Sequence, residues 1–159
     1  QSAVNAIQSA NQAHSIFGID TQGAPAIIQA PGNPYAHVFL RGGHQGPNLD
    51  RQSIQSATES LASSTLKRPI MLDCSHANSN KDYRNQGPNA INATQLFLDD
   101  SPEIAGIMLE SNIIEGSQRF QAGNKHTYGQ SITDSCIGWN ETEMLVHKIA
   151  RKLKFRRDR

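Results

Sequence analysis

Cysteine is scarce in this chain of 159 residues: only Cys74 and Cys136 occur. Two are too few for a disulfide scaffold and suit a reduced, cytoplasmic setting. Excess charge of one sign is missing as well, with 15 Lys and Arg against 14 Asp and Glu for a formal net charge of +1. That balance excludes a globally basic nucleic-acid binder and an acidic solvating tail. No apolar run approaches the ~20 residues needed to cross a bilayer, so no membrane partner is expected. The opening Gln1-Ser2-Ala3-Val4-Asn5 has neither the charged region nor the apolar block of a signal peptide. It also has no initiator Met, which leads us to expect part of a longer protein. The length sets a prior of one domain. The 25 Asn and Gln residues are dispersed rather than gathered into a low-complexity tract.

What is present alternates between short apolar runs and helical stretches. Residues 1–13 read as the last turns of a helix. The runs His14–Ile19 and Ala26–Ile28, separated by polar residues from Asp20 to Gly23, suggest a β-hairpin. Pro31-Gly32-Asn33-Pro34 then marks a turn. His37–Leu40 is a continuous apolar run that stops at Arg41-Gly42-Gly43. Residues 50–65 read as a helix, with Ile54, Ala57, Leu61 and Ala62 on one face. Pro69–Leu72 is a second run, ending at Asp73-Cys74-Ser75-His76, and a helix follows from about Pro88. Ile104–Leu109 is a third run, ending at Glu110-Ser111-Asn112. About 27 residues of expected loop come next, far beyond the usual connection. The last helix is predicted to open at Asn140, with Glu143 completing a capping box, and to carry Leu145, Ile149 and Leu153 on one stripe.

Apolar strands covered on both faces, each followed by a helix, predict a parallel α/β protein. Such sheets carry their chemistry at the carboxyl ends of the strands. Here the three runs end in Arg41, His76 and Glu110, and the long loop brings Asp134 within reach. An imidazole with two carboxylates suits a divalent metal such as manganese, iron, cobalt or zinc. The spacings of 34 and 24 residues between His76, Glu110 and Asp134 form no compact motif. A guanidinium fork grips phosphate or carboxylate at two points, and the glycines after Arg41 permit close backbone approach. Plainer readings stay open: polar residues mark strand ends, Arg41 pairs with a structural acid, and Asp134 caps a turn.

Four blocks carry a family resemblance. They are Leu40-Arg41-Gly42-Gly43 with Pro47-Asn48, then Met71 to Ser79, then Gly106 to Ser111 with Glu115-Gly116 and Gln118, and finally Tyr128 to Trp139. In this order they resemble the class I 3-deoxy-D-arabino-heptulosonate 7-phosphate (DAHP) synthases, over essentially the whole chain. The resemblance implies a (β/α)8 TIM barrel that condenses phosphoenolpyruvate with erythrose 4-phosphate in the first step of the shikimate pathway. It further implies that water adds and phosphate leaves by carbon–oxygen cleavage. His76, Glu110 and Asp134 match three of the family's four metal ligands, with catalytic roles implied for His76 and Asp134. Arg41 matches an arginine that binds phosphoenolpyruvate. The fourth ligand, a cysteine near the first barrel strand, has no match here, since neither Cys74 nor Cys136 occupies its block.

A (β/α)8 barrel needs about 250 residues. Residues 1–159 are therefore expected to be the carboxyl-terminal portion of one TIM-barrel domain, the last three β/α units plus the hairpin, with the amino-terminal half absent. Alone, such an arc is expected to fold poorly, to bind metal weakly and to lack activity. In the full enzyme a homo-oligomer is expected. The contrasting expectation is a catalytically silent half-barrel that serves only in subunit or regulatory association. A related synthase that uses arabinose 5-phosphate shares the fold, but the first and fourth blocks favour DAHP synthase. The basic tail from Lys148 to Arg159 is read as complementing a helix dipole rather than binding nucleic acid. His14, His37, His44, His126 and His147 are read as structural or solvated, Trp139 as a packing residue, and Tyr128 and Gln130 as near the site without a catalytic role.

Overall fold

The computed structural model describes residues 2–64, 66, 69–99, 101 and 103–157. The amide-rich opening forms helix α1 (Ser2–Asn11), which buries Val4 and Ile7 on a single face. Asn33 donates its N–H to the carbonyl of Ala10 at 2.7 Å, tying the Pro31–Pro34 turn to the end of this helix. Gly32 sits at φ +88°, where a Cβ would lie 2.5 Å from the Asn11 carbonyl oxygen, so only glycine fits.

Strands β1 (His14–Ile19) and β2 (Pro25–Ala30) pair antiparallel, as the sequence predicts, with His14 opposite Ala30 and Ile19 opposite Pro25. The Asp20 carboxylate closes the turn by accepting from the N–H groups of Gln22 (2.8 Å) and Ala24 (3.0 Å). Phe17, Ile19 and Ile27 of this hairpin are largely exposed. Among the described residues none from the hairpin joins the buried core.

The three apolar runs become β3 (Val38–Leu40), β4 (Ile70–Asp73) and β5 (Ile104–Met108), a parallel sheet in that order. Leu40 lies opposite Leu72, Leu72 opposite Ile107, and Asp73 opposite Met108. Parallel neighbours need crossover connections, supplied by α2 (Arg51–Ser63) and α3 (Gln86–Leu98). Val38, Leu40, Ile70, Leu72 and Ile104 form the core with Ile54 and Leu61 of α2 and Ala93 of α3. Each buried Ile or Leu contributes roughly 1.5–3 kcal/mol.

Continuous apolar runs predicted strands covered on both faces, but among the described residues the second face is left partly open. Side chains alternate along a strand, so Val38, Leu40, Ile70 and Leu72 enter the core while Phe39 and Met71 face the other way. Phe39 is 44% exposed, and Met71 is half-buried.

The stretch after β5 is more structured than the loop expected. It carries β6 (Ile114–Ser117) and β7 (Gln130–Ser131), which pair in parallel. Its far end folds back against the end of β5: Ile137 donates its N–H to the Glu110 carbonyl (2.9 Å), and Asn112 donates to the Ile137 carbonyl (3.0 Å). Helix α4 (Trp139–Arg157) packs against α3, with Lys152 Nζ donating to Gln95 Oε1 at 3.1 Å.

Two sequence expectations fail at the start of α4. The helix begins at Trp139, so Asn140 lies inside the first turn and does not cap it. The first helical bond runs from the Thr142 N–H to the Gly138 carbonyl at 3.0 Å, where the Thr142 hydroxyl also donates, and the Trp139 N–H donates to the Ile113 carbonyl at 3.3 Å. Trp139 is 59% exposed and is not a packing residue. The basic tail runs within α4 as far as Arg157, and Asp158 and Arg159 lie outside the described residues. Among the described residues no helix is long and apolar enough to cross a membrane.

Helix α2 has a conventional start. The Asp50 carboxylate accepts from the Ser53 N–H (2.9 Å) and hydroxyl (2.7 Å), and these bonds hold its carboxyl below the usual carboxylate range. Replacing Asp50 with Ala is expected to cost about 1 kcal/mol of stability in urea unfolding. Because the folded value is depressed, this contribution is present above the unfolded value of about 3.9 and is lost as pH falls through the folded one. The difference between wild type and Asp50→Ala should therefore shrink in acid.

Candidate metal centre

The end of β4 is built as a tight polar turn. Asp73 is 2% exposed, and its Oδ1 accepts the N–H of Ser75 at 2.9 Å, an Asx-type turn. Its Oδ2 lies 2.7 Å from His76 Nδ1. His76 sits at φ +45°, an unusual backbone angle for a residue with a side chain. The following one-turn helix, His76–Ser79, holds it there. Lys81 N–H and Ser79 Oγ donate to the His76 carbonyl at 2.9 and 3.0 Å.

Buried amides weld this turn to its neighbours. Asn78 Nδ2 donates to the carbonyls of Leu40 (2.8 Å) and Asp73 (2.7 Å), bridging the ends of β3 and β4. Its Oδ1 accepts the Asn48 N–H, and Asn48 Oδ1 accepts the Gly42 N–H, each at 2.7 Å. Gly42 has φ +74°, and a Cβ there would approach Asn78 N to 2.9 Å, so the segment after Arg41 lies directly against the His76 turn. On the other side Gln86, fully buried, accepts the Glu110 N–H at 2.7 Å and donates to the Glu110 carbonyl at 3.2 Å.

These anchors bring three predicted residues together. One ligand atom each from His76, Glu110 and Asp134 lie within 4.8 Å of one another. His76 Nε2 is 3.5 Å from Glu110 Oε1 and 4.0 Å from Asp134 Oδ2. Ser75 Oγ donates to the other Glu110 oxygen at 2.5 Å, which leaves Oε1 turned toward the imidazole. Asp134 follows the end of β7 by three residues. The fold of the 112–139 stretch that seats it is invisible in a spacing argument.

Donor atoms held by one ion at about 2.1 Å stand about 3.4 Å apart in a tetrahedral set and at most about 4.2 Å apart. The observed separations need only a small rotation of Asp134, whose side chain is 70% exposed. One nitrogen and two anionic oxygens form a set that suits a divalent transition metal, and the residues fit such an ion. The cysteines do not contribute. Burial, with the charge of Asp73 next, pushes the Cys74 thiol up to about 12. Burial also raises Cys136, with the nearby charges of Glu110 and Asp134 adding to it.

The three residues border a cleft of about 410 Å³ that Arg41, His44 and Lys81 also line. The plainer readings of two residues lose ground here. Among the described residues no carboxylate lies within 4.0 Å of the Arg41 guanidinium, and no backbone N–H donates to the Asp134 carboxylate. His44, read as structural or solvated, is exposed on the cleft, and Lys81 carried no sequence signal because no periodicity marks it. Tyr128 and Gln130 do not line the cleft. His37 lies tilted against Phe39 with ring centroids 5.2 Å apart, and His126 stacks on Phe120 at 5.0 Å, in keeping with structural roles. Asp73, Asn78 and Gln86 were missed. A polar residue at the end of an apolar run was the available signal for Asp73, and nothing local marked the other two.

A family model described as the DAHP synthetase I family matches residues 1–147. The chain is 40% identical over 152 residues to the Tyr-sensitive phospho-2-dehydro-3-deoxyheptonate aldolase of Salmonella typhimurium, covering 95% of this chain and 42% of that protein. It is 42% identical over 148 residues to the Trp-sensitive phospho-2-dehydro-3-deoxyheptonate aldolase of Shigella flexneri, covering 93% of this chain and 42% of that one. A solved phospho-2-dehydro-3-deoxyheptonate aldolase from Francisella tularensis superposes with a TM-score of 0.87 at 34% identity, over 96% of this chain and 44% of that chain. The chain thus spans less than half the length of these relatives.

Gln86→Leu keeps the volume but orphans the part-buried Glu110 N–H, while the Glu110 carbonyl retains Ile137 as a donor. An unsatisfied buried group costs roughly 1–3 kcal/mol. A loss of that size in urea unfolding is expected, and a larger one at neutral pH for Gln86→Glu, which buries a carboxylate with one oxygen against the Glu110 carbonyl.

Proposed function

The chain belongs to the DAHP synthetase I family, and from that premise we propose that it supplies the carboxyl-terminal portion of a (β/α)8 barrel. Once complete, this barrel condenses phosphoenolpyruvate with erythrose 4-phosphate, giving DAHP and phosphate at the entry to the shikimate pathway. The observation that carries the reading is the gathering of His76, Glu110 and Asp134 within 4.8 Å, on a cleft shared with Arg41. The activity belongs to the cytoplasm and, in the full enzyme, to a homo-oligomer.

Several features support a partial barrel of one domain. The parallel strands carry their helices on one face and leave Phe39 and Met71 on the other, as a barrel wall presents its interior. Among the described residues β3 and β5 are edges of their sheet, with unpaired backbone groups that a further strand would satisfy. A whole barrel needs about 250 residues, more than the 159 present.

In the proposed reaction His76, Glu110 and Asp134 hold a divalent ion, manganese, iron, cobalt or zinc. Such an ion supplies Lewis acidity toward the aldehyde oxygen of erythrose 4-phosphate. Arg41 grips an anionic group of phosphoenolpyruvate through its guanidinium fork. Fixing that substrate beside the aldehyde removes much of the entropic cost of aligning two reactants. The third carbon of phosphoenolpyruvate bonds to the aldehyde carbon, water adds at the second carbon, and phosphate leaves by carbon–oxygen cleavage. Lys81 adds positive charge, and His44 a ring that can hydrogen-bond, along the cleft that receives these anions.

The test is complementation. Mixed with the amino-terminal portion of the Salmonella relative and manganese, the chain is expected to release phosphate only when both substrates are present. The chain alone should unfold at lower urea concentration than the mixture and turn over nothing. Assembly without any phosphate release would instead indicate a silent half-barrel. In the active mixture Arg41→Ala should weaken phosphoenolpyruvate binding by roughly 10–100-fold, the equivalent of one charged hydrogen-bonded contact.

A further inference from the structure

We propose that Asp73 is a positioning residue that holds the neutral His76 ring with its proton on Nδ1, so that the Nε2 lone pair faces the cleft. The inference rests on the metal-centre reading for its purpose, though its geometry is independent of that reading.

Asp73 is 2% exposed and is not among the side chains lining the cleft, so it does not itself meet a substrate. A buried carboxylate is expensive unless its oxygens are satisfied. Both are: Oδ1 accepts the Ser75 N–H at 2.9 Å, and Oδ2 lies 2.7 Å from His76 Nδ1. Since an ionised carboxylate only accepts, Nδ1 must be the donor. In a neutral imidazole the other nitrogen is then an acceptor. That nitrogen, Nε2, is the one placed 3.5 Å from Glu110 Oε1 and 4.0 Å from Asp134 Oδ2. Without a partner on Nδ1 the ring would favour a proton on Nε2, donated toward those carboxylates, and the lone pair would be lost to any ion. Histidine ligands commonly depend on such a partner for tautomer and orientation.

The surrounding turn makes the arrangement directional. Asn78 Nδ2 donates to the Asp73 carbonyl at 2.7 Å, and the Ser75 N–H fixes which carboxylate oxygen faces the backbone. In Asp73→Asn the amide oxygen must therefore stay on the Ser75 N–H. The amide NH2 then faces His76 Nδ1 and can only donate to it. The isosteric change should reverse the tautomer while leaving the turn intact.

The experiment uses the 15N-histidine-labelled chain, assembled with the amino-terminal portion of the Salmonella relative and free of metal. Long-range 1H–15N spectra at a pH where the ring is neutral report the tautomer, with His76→Gln assigning the signal. Wild type is expected to carry its proton on Nδ1 and Asp73→Asn on Nε2. In parallel, Co2+ titration followed by visible absorbance should show a 10–100-fold weaker affinity for Asp73→Asn. A wild-type ring protonated on Nε2 overturns the proposal without recourse to any variant. So does an Asp73→Asn protein whose tautomer and Co2+ affinity match wild type. If wild type has the assigned tautomer and Asp73→Asn reverses it, yet neither binds Co2+, the positioning role stands and the metal reading fails.

Discussion

A strand hydrogen-bonded in parallel on both sides cannot slide, and β4 occupies that position between β3 and β5. Leu72 faces Leu40 on one side and Ile107 on the other. This register brings the carboxyl ends of the three strands out level. Arg41, the Asp73–His76 turn and Glu110 consequently emerge along one rim. A one-residue slip of β4 would send Ile70 and Leu72 out of the core and Asp73 away from the rim. The apolar burial that stabilises the sheet therefore also sets the register of the site.

Register places the backbone, and buried amides then set the side chains. Asn78 joins the ends of β3 and β4, Asn48 carries that tie to Gly42 beside Arg41, and Gln86 clasps the main chain of Glu110. In a low-dielectric setting such bonds are worth keeping because an orphaned partner is costly. The groups that face the cleft can stay partly exposed because the groups beneath them are fixed. Asp134 is the exception: it sits on the 112–139 stretch, held to the rim through the Ile137–Glu110 backbone bond, and its side chain remains open to solvent.

The helices cover one face of the sheet and leave Phe39 and Met71 on the other, and the hairpin displays Phe17, Ile19 and Ile27. These apolar surfaces agree with a chain that spans less than half the length of its relatives. A run such as His37–Leu40 implies burial on both sides, but a run cannot say whether the second covering layer comes from the same chain.

Periodicity and punctuation by themselves determined the order of elements except β6 and β7: the hairpin, the three parallel strands with their crossovers, and the final helix all follow from local patterns of apolar residues. The residue types at the strand ends were legible too, since a charged group that closes an apolar run stands out in one dimension. Only the tertiary structure decided how near those groups come to one another, because the distance from His76 to Asp134 depends on how a long segment folds back onto the end of β5. It alone disclosed Asp73, Asn78 and Gln86 as supports, because a polar residue in a sequence does not announce whether it will be buried or which partner will satisfy it. Short-range patterns decide the elements, and the satisfaction of buried polar groups by partners distant in the chain decides the site.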